Sequence, residues 1–114
     1  MKRSLYLFIS DILESIENIE SFLDNISKEN FIKDKLKQSA VIRQLEIIGE
    51  ATKNIPNSFR EKYPEISWKK IAGLRDIITH AYFNIDLDVT WSIAKKDLPD
   101  LKQKIIKVKK ELER

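Results

Sequence analysis

LYLFISDILESIENIESFLDNI, residues 5–26, carries Leu5, Ile9, Ile12, Ile16, Ile19, Leu23 and Ile26 at successive spacings of 4, 3, 4, 3, 4 and 3. That rhythm keeps apolar side chains on one side of a helix of 3.6 residues per turn. Acidic and amide residues, among them Asp11, Glu14, Glu17 and Glu20, take the opposite face. The stretch predicts one long amphipathic helix. Asn25 and Ser27 mark its end, with Ser27 placed to cap a second helical region.

Working outward, that second region runs from about residue 28 to 53, with a kink near Asp34. Its stripe is Val41, Leu45, Ile48, Thr52 and Ile55, widened by Ile42, Ile47 and Ala51, so it is expected to be buried on more than one side. Gly49 interrupts it, and a mid-helix glycine costs about 1 kcal/mol relative to alanine, which points to a close helix crossing. Pro56 ends the region. Asn57 and Ser58 are expected to cap a short helix stopping before Pro64. Ser67 caps the next helix, which starts at Trp68 and carries Ile71, Ala72, Leu74 and Ile78. AYFNID, residues 81–86, reads as a loop. Asp88 is expected to cap a short helix with Val89, Trp91 and Ile93. Asp97 and Pro99 open the last helix, whose stripe is Leu98, Leu101, Ile105, Val108 and Leu112.

Composition supports this pattern. Of 114 residues 34% are charged and 42% hydrophobic, with only 2 glycines and 3 prolines, which favours long amphipathic helices over a sheet of many turns. The expectation is one all-α domain over residues 1–114, an antiparallel bundle of about four to five main helices. With no cysteine, disulfides and thiolate metal sites are excluded. No apolar run is long enough to span a bilayer. Acidic residues from Asp11 onward interrupt the pattern a signal peptide would need, so a cytoplasmic location is expected. The net charge of +3 leans only weakly toward polyanionic partners.

The chemistry is sparse. His80 is the single histidine, which excludes a zinc site built from several histidines of one chain. Gly49 and Gly73 stand alone, so there is no glycine-rich phosphate loop, and no Gly-x-Ser-x-Gly elbow occurs. What remains is GLRDIITHAYFNID, residues 73–86, with Arg75, Asp76, His80 and Tyr82 within eight positions. Arginine grips a phosphate with a planar fork and stabilises the charge that builds during its transfer. Histidine takes a proton from an attacking hydroxyl or gives one to a leaving oxygen. On a regular helix, residues five apart point about 140° away from each other. Either the helix ends near Thr79 and lets His80 turn back, or the pair is assembled between two chains of a two-fold dimer.

The spacing Arg75-x4-His80-x-Tyr82 resembles the signature of the HepT toxin group within the HEPN superfamily. RQLEIIGEA (residues 43–51) resembles that group's second-helix segment, residues 64–86 its central block, and VTWSIAKKDLPDL (residues 89–101) its tail. The resemblance implies a helical homodimer with Arg75 and His80 as catalytic residues at the subunit cleft. It implies a metal-independent endoribonuclease acting on RNA, without a cofactor, as the toxin of a toxin–antitoxin pair. The implied partner is a minimal nucleotidyltransferase antitoxin of the MntA type, which silences the toxin by transferring AMP to Tyr82. Asp76 is then a supporting residue that orients Arg75 or the cleft. The alternative is a non-catalytic HEPN subunit that only binds the nucleotidyltransferase.

Three further features have plain structural readings. Arg43, Glu46 and Glu50 sit at helical spacings and read as an ion-pair set, or as glutamates that orient Arg75 from a neighbouring helix. Trp68 and Trp91 fall on apolar faces and read as core. Lys102, Lys104, Lys107, Lys109 and Lys110 read as a solvated helix face.

Overall fold

The computed structural model describes the backbone of residues 2–80 and 84–114 and the side chains of residues 5–79 and 84–114. The first helix, α1 (Lys2–Phe22), is the amphipathic element expected. Ile9, Ile12, Ile16, Ile19 and Leu23 are all at most 1% exposed, with Leu5 and Ile26 packed at the margin. Asn25 turns the chain with a φ of 60°, a left-handed conformation that asparagine tolerates better than most residues. Ser27 then caps α2 (Lys28–Lys33), its Oγ accepting the Asn30 amide at 3.1 Å.

The kink expected at Asp34 is a complete break. Asp34 has extended backbone, ends α2, and accepts the Lys37 amide at 3.0 Å to start α3 (Lys35–Lys53). Gln38 donates to the carbonyls of Phe31 and Ile32, both at 2.9 Å, and so ties the start of α3 to the end of α2. Val41, Leu45, Ile48, Thr52 and Ile55 are buried as the stripe required, and of the residues expected to widen it Ala51 is buried while Ile42 and Ile47 are only half-buried. Arg60, from α4 (Asn57–Arg60), donates to Thr52 O at 2.7 Å and Ile55 O at 2.9 Å and so closes the C-terminal end of α3.

Several cap assignments need correction. Pro56, not Asn57 or Ser58, occupies the position before α4, and no side chain caps it. Ser67 stands before α5 (Trp68–Ala72) as expected but makes no capping bond. Asp86, not Asp88, caps α7 (Leu87–Ser92), its Oδ1 accepting the Val89 amide at 3.0 Å. Asp88 already lies in the first turn and pairs outward with Lys28 at 2.9 Å. Within the expected loop, Asn84–Ile85 (β2) pairs antiparallel with Thr79–His80 (β1), Thr79 opposite Ile85.

The last helix does not start afresh at Asp97. A π-helical segment, Ile93–Asp97, runs from α7 straight into α8 (Leu98–Leu112), and Asp97 has helical backbone with no capping bond. A wider turn shifts the phase of the side chains. The buried line therefore passes from Thr90 through Ile93 and Ala94 to Leu98, Leu101, Ile105 and Val108. Tyr6 donates to Glu113 at 2.7 Å and Lys102 to Glu20 at 2.8 Å, so α8 runs antiparallel to α1. Lys104 is also engaged, with Asp100 and the Glu65 carbonyl. The lysine face is thus partly a set of tethers.

Among the described residues the helices form four arms: α1, α3, α5 continued by α6 (Leu74–Ile78), and α7 through α8. α1 packs against both α3 and α8, while α5 and α6 lie on α3. The fold is all-α, with only the short β1–β2 ribbon added. Trp68 is core as expected, its indole N–H donating to the carbonyls of Arg60 and Tyr63. Trp91 is only half-buried, its ring 5.4 Å from that of Phe31 and under Lys95 Nζ at 5.1 Å. Among the described residues, no helix is long and apolar enough to cross a membrane.

One long-range bond carries a pH signature. The Tyr63 hydroxyl donates to Glu111 of α8. Burial and that bond push Tyr63 up to about 12, against about 10 in an unfolded chain. A raised folded value means the stabilisation is fully present below pH 10 and is lost as pH rises toward 12. Urea unfolding at about pH 8 and pH 11 should therefore show a loss for the wild type that is smaller for Tyr63→Phe. An equal loss in both would remove Tyr63 as its source.

Candidate active site

The segment carrying Arg75 is anchored from inside. Leu74 is 4% and Ile78 1% exposed, at opposite ends of the one-turn helix α6. Between them, Arg75, Asp76 and Ile77 face outward. Gly73 separates α5 from α6, its amide bonded to Lys69 O at 3.1 Å. At the other end the Thr79 hydroxyl donates to Arg75 O at 2.7 Å, and the Asp86 amide donates to Ile78 O at 2.7 Å. α6 is therefore held at its start by the glycine joint and at its end by the β1–β2 ribbon.

Helical backbone stops at Ile78, and His80 lies in β1. The early helix end that one of the two arrangements requires is present, so the 140° separation of a continuous helix does not apply between Arg75 and His80. The His80 side chain and Tyr82 lie outside the described residues. Asp76 is exposed on α6, where no bond to Arg75 occurs among the described residues.

Arg75 opens onto a cleft of about 280 Å³ whose other lining comes from α3 and α5: Arg43, Glu46, Gly49, Glu50, Lys53 and Ala72. Gly49 makes this possible. A Cβ there would meet the backbone oxygens of Ala72 at 3.4 Å and Ile71 at 3.5 Å, so the close crossing expected of a mid-helix glycine is present. Arg43 lies 3.8 Å from Glu46. Glu50 pairs with Lys53 at 3.5 Å rather than with Arg43, so the expected set divides into two pairs. Neither glutamate is within ion-pair distance of Arg75 among the described residues, although all line one cleft with it.

Lys53 is the lining residue that reading the sequence missed. Its signal was available: Arg43, Glu46, Glu50 and Lys53 continue one another at spacings of 3, 4 and 3. The cleft can bind an anion through guanidinium donors that make no hydrogen bond among the described residues, with carboxylates beside them to accept donors from the same ligand. Among the described residues no three of His, Asp and Glu are grouped so as to hold a metal ion.

The family model described as Ribonuclease HepT-like matches residues 12–108. A protein of Thermococcus cleftensis named as a probable ribonuclease HepT is 52% identical over 110 residues, covering 96% of this chain and 100% of its own. A Methanocaldococcus jannaschii protein named as a gamma-glutamylcyclotransferase and candidate RNase is 46% identical over 114 residues. All of this chain is covered there but only 51% of that one, so the chain spans about half its length. Another candidate RNase of the same organism is 46% identical over 104 residues, 91% of this chain and 95% of its own. No solved structure matches the chain.

Proposed function

The chain belongs to the HepT-like family, and from that membership we propose that it is a metal-independent endoribonuclease working through Arg75 and His80. The observation that carries this reading is the placement of Arg75. It stands exposed in a concave, charged cleft, on a helix that stops two residues before the one histidine of the chain. The relatives' names, probable ribonuclease HepT among them, support RNA as the substrate class.

In this mechanism Arg75 holds the scissile phosphate and offsets the charge that builds on it. His80 removes the proton from the ribose 2′-hydroxyl, whose oxygen attacks phosphorus. The bond to the 5′-oxygen breaks, a 2′,3′-cyclic phosphate forms, and a second His80 protonates the leaving oxygen. Asp76 orients Arg75 or the cleft. The second imidazole comes from a second copy, since each chain has one histidine. Light scattering should then give twice the 13.4 kDa of one chain, and a clean monomer would exclude the two-histidine step. The test of the whole reading is cleavage of single-stranded RNA by purified protein in EDTA, with cyclic-phosphate ends on the products. Absence of cleavage would leave the non-catalytic, nucleotidyltransferase-binding role.

The chain is the cytoplasmic toxin of a pair, and Tyr82 is its control point. AMP placed there by an MntA-like nucleotidyltransferase adds bulk and negative charge two residues from His80, so modification and RNA exclude each other. After co-expression with that enzyme, intact-mass analysis should show AMP on the wild type and none on Tyr82→Phe, which stays active. Equal AMP on both proteins would exclude Tyr82 as the acceptor.

A further inference from the structure

The proposed cleavage uses Arg75 alone among the charged residues of its cleft, leaving the four from α3 without a role. Two of these are cations, and they are not equivalent. Lys53 presents a compact ammonium held 3.5 Å from Glu50. Arg43 presents a planar fork of five donors, which suits a phosphate. Its side chain is 68% exposed, and Glu46 is 3.8 Å away, outside hydrogen-bonding distance. A pair at that distance on a largely exposed guanidinium is weak, and among the described residues no hydrogen bond engages the Arg43 donors. The close crossing at Gly49 sets the α3 row beside α5, so Arg43 and Arg75 share one concave surface from different elements.

We infer that Arg43 is a substrate-binding residue, its guanidinium holding the RNA phosphate adjacent to the one held by Arg75. This rests on the ribonuclease function proposed for the same cleft. Glu46 occupies Arg43 loosely in the free protein and yields to the phosphate on binding. An ordinary i, i+3 surface pair would have no bearing on RNA.

The experiment separates the two. Binding of a labelled single-stranded RNA is followed by fluorescence anisotropy in the non-cleaving His80→Ala protein, across a range of salt. Arg43→Gln should weaken binding several-fold at low salt and lower the steepness of log affinity against log salt by about 0.7, the value of one single-strand phosphate contact. Arg43→Lys should recover most of the steepness. Lys110→Gln removes the same charge from an exposed site on α8 outside the cleft lining, and it should change neither. Melting temperatures equal to the parent's confirm that the variants fold. If the parent binds RNA and wild type cleaves it, but Arg43→Gln behaves like Lys110→Gln, Arg43 is not a contact and the ribonuclease function stands. If the parent does not bind RNA and wild type does not cleave it, both fall; cleavage by wild type without binding by the parent removes the Arg43 contact alone.

Discussion

Replacing His80 by alanine is expected to slow RNA cleavage by about a hundred- to ten-thousand-fold, the usual worth of a positioned general acid or base. No other imidazole in the chain can take its place, and a dimer of the variant loses both copies at once. Arg75→Ala should cost on the order of a hundred- to a thousand-fold, as removal of one group that stabilises transition-state charge does. Arg75→Lys keeps the charge but loses the fork, so it should fall between wild type and Arg75→Ala. The measurement is the single-turnover cleavage rate in EDTA, with thermal unfolding of each variant beside it. Arg75 is exposed, so its loss should leave stability within about 0.5 kcal/mol. A rate for His80→Ala equal to wild type would require another proton acceptor and would remove the proposed mechanism.

Phe31→Ala should be the most damaging substitution for stability, at about 3–5 kcal/mol. Phe31 is 0% exposed on the short helix α2, and its ring meets that of Trp91 on α7 at a centroid distance of 5.4 Å. α2 also packs on α3, so the short helix that carries this ring meets both α3 and α7. Against a typical total of about 5–15 kcal/mol, the loss is large enough to unfold a considerable part of the population. Leu36→Ala is the control. It lies five residues on, also apolar, but is 79% exposed and should change stability by no more than about 0.5 kcal/mol. Urea unfolding followed by circular dichroism distinguishes them. Equal midpoints for the two variants would mean that α2 does not fold cooperatively with the rest.

Features that depend on near neighbours along the chain could be read directly from the residues. The period of Leu5 to Ile26 is a property of one helix, so α1 and its buried face followed from spacing alone, as did the stripes of α3 and α8. Gly49 announced a crossing because a mid-helix glycine is costly without one. The pair Arg75 and His80 was visible as residue chemistry at a fixed interval. Caps were less legible, because capping needs an extended backbone as well as a suitable side chain. Asp86 and Asp88 are chemically alike, and only the conformation at Asp86 makes it the cap. The π-helical turn at Ile93–Asp97 has no signal in the apolar spacing, which reads as well on an ordinary helix.

The cleft itself belongs to tertiary structure. Arg43 and Arg75 are 32 positions apart, and nothing in either segment specifies that α6 will lie against the Arg43–Lys53 row of α3. That meeting is decided by the packing of Leu74 and Ile78 into the core, by the space left at Gly49, and by the ribbon that ends α6 before His80. Sequence determined which groups are available and which faces are apolar, because those are local. Packing determined which charged groups share a surface, because that depends on burying all the apolar faces at once.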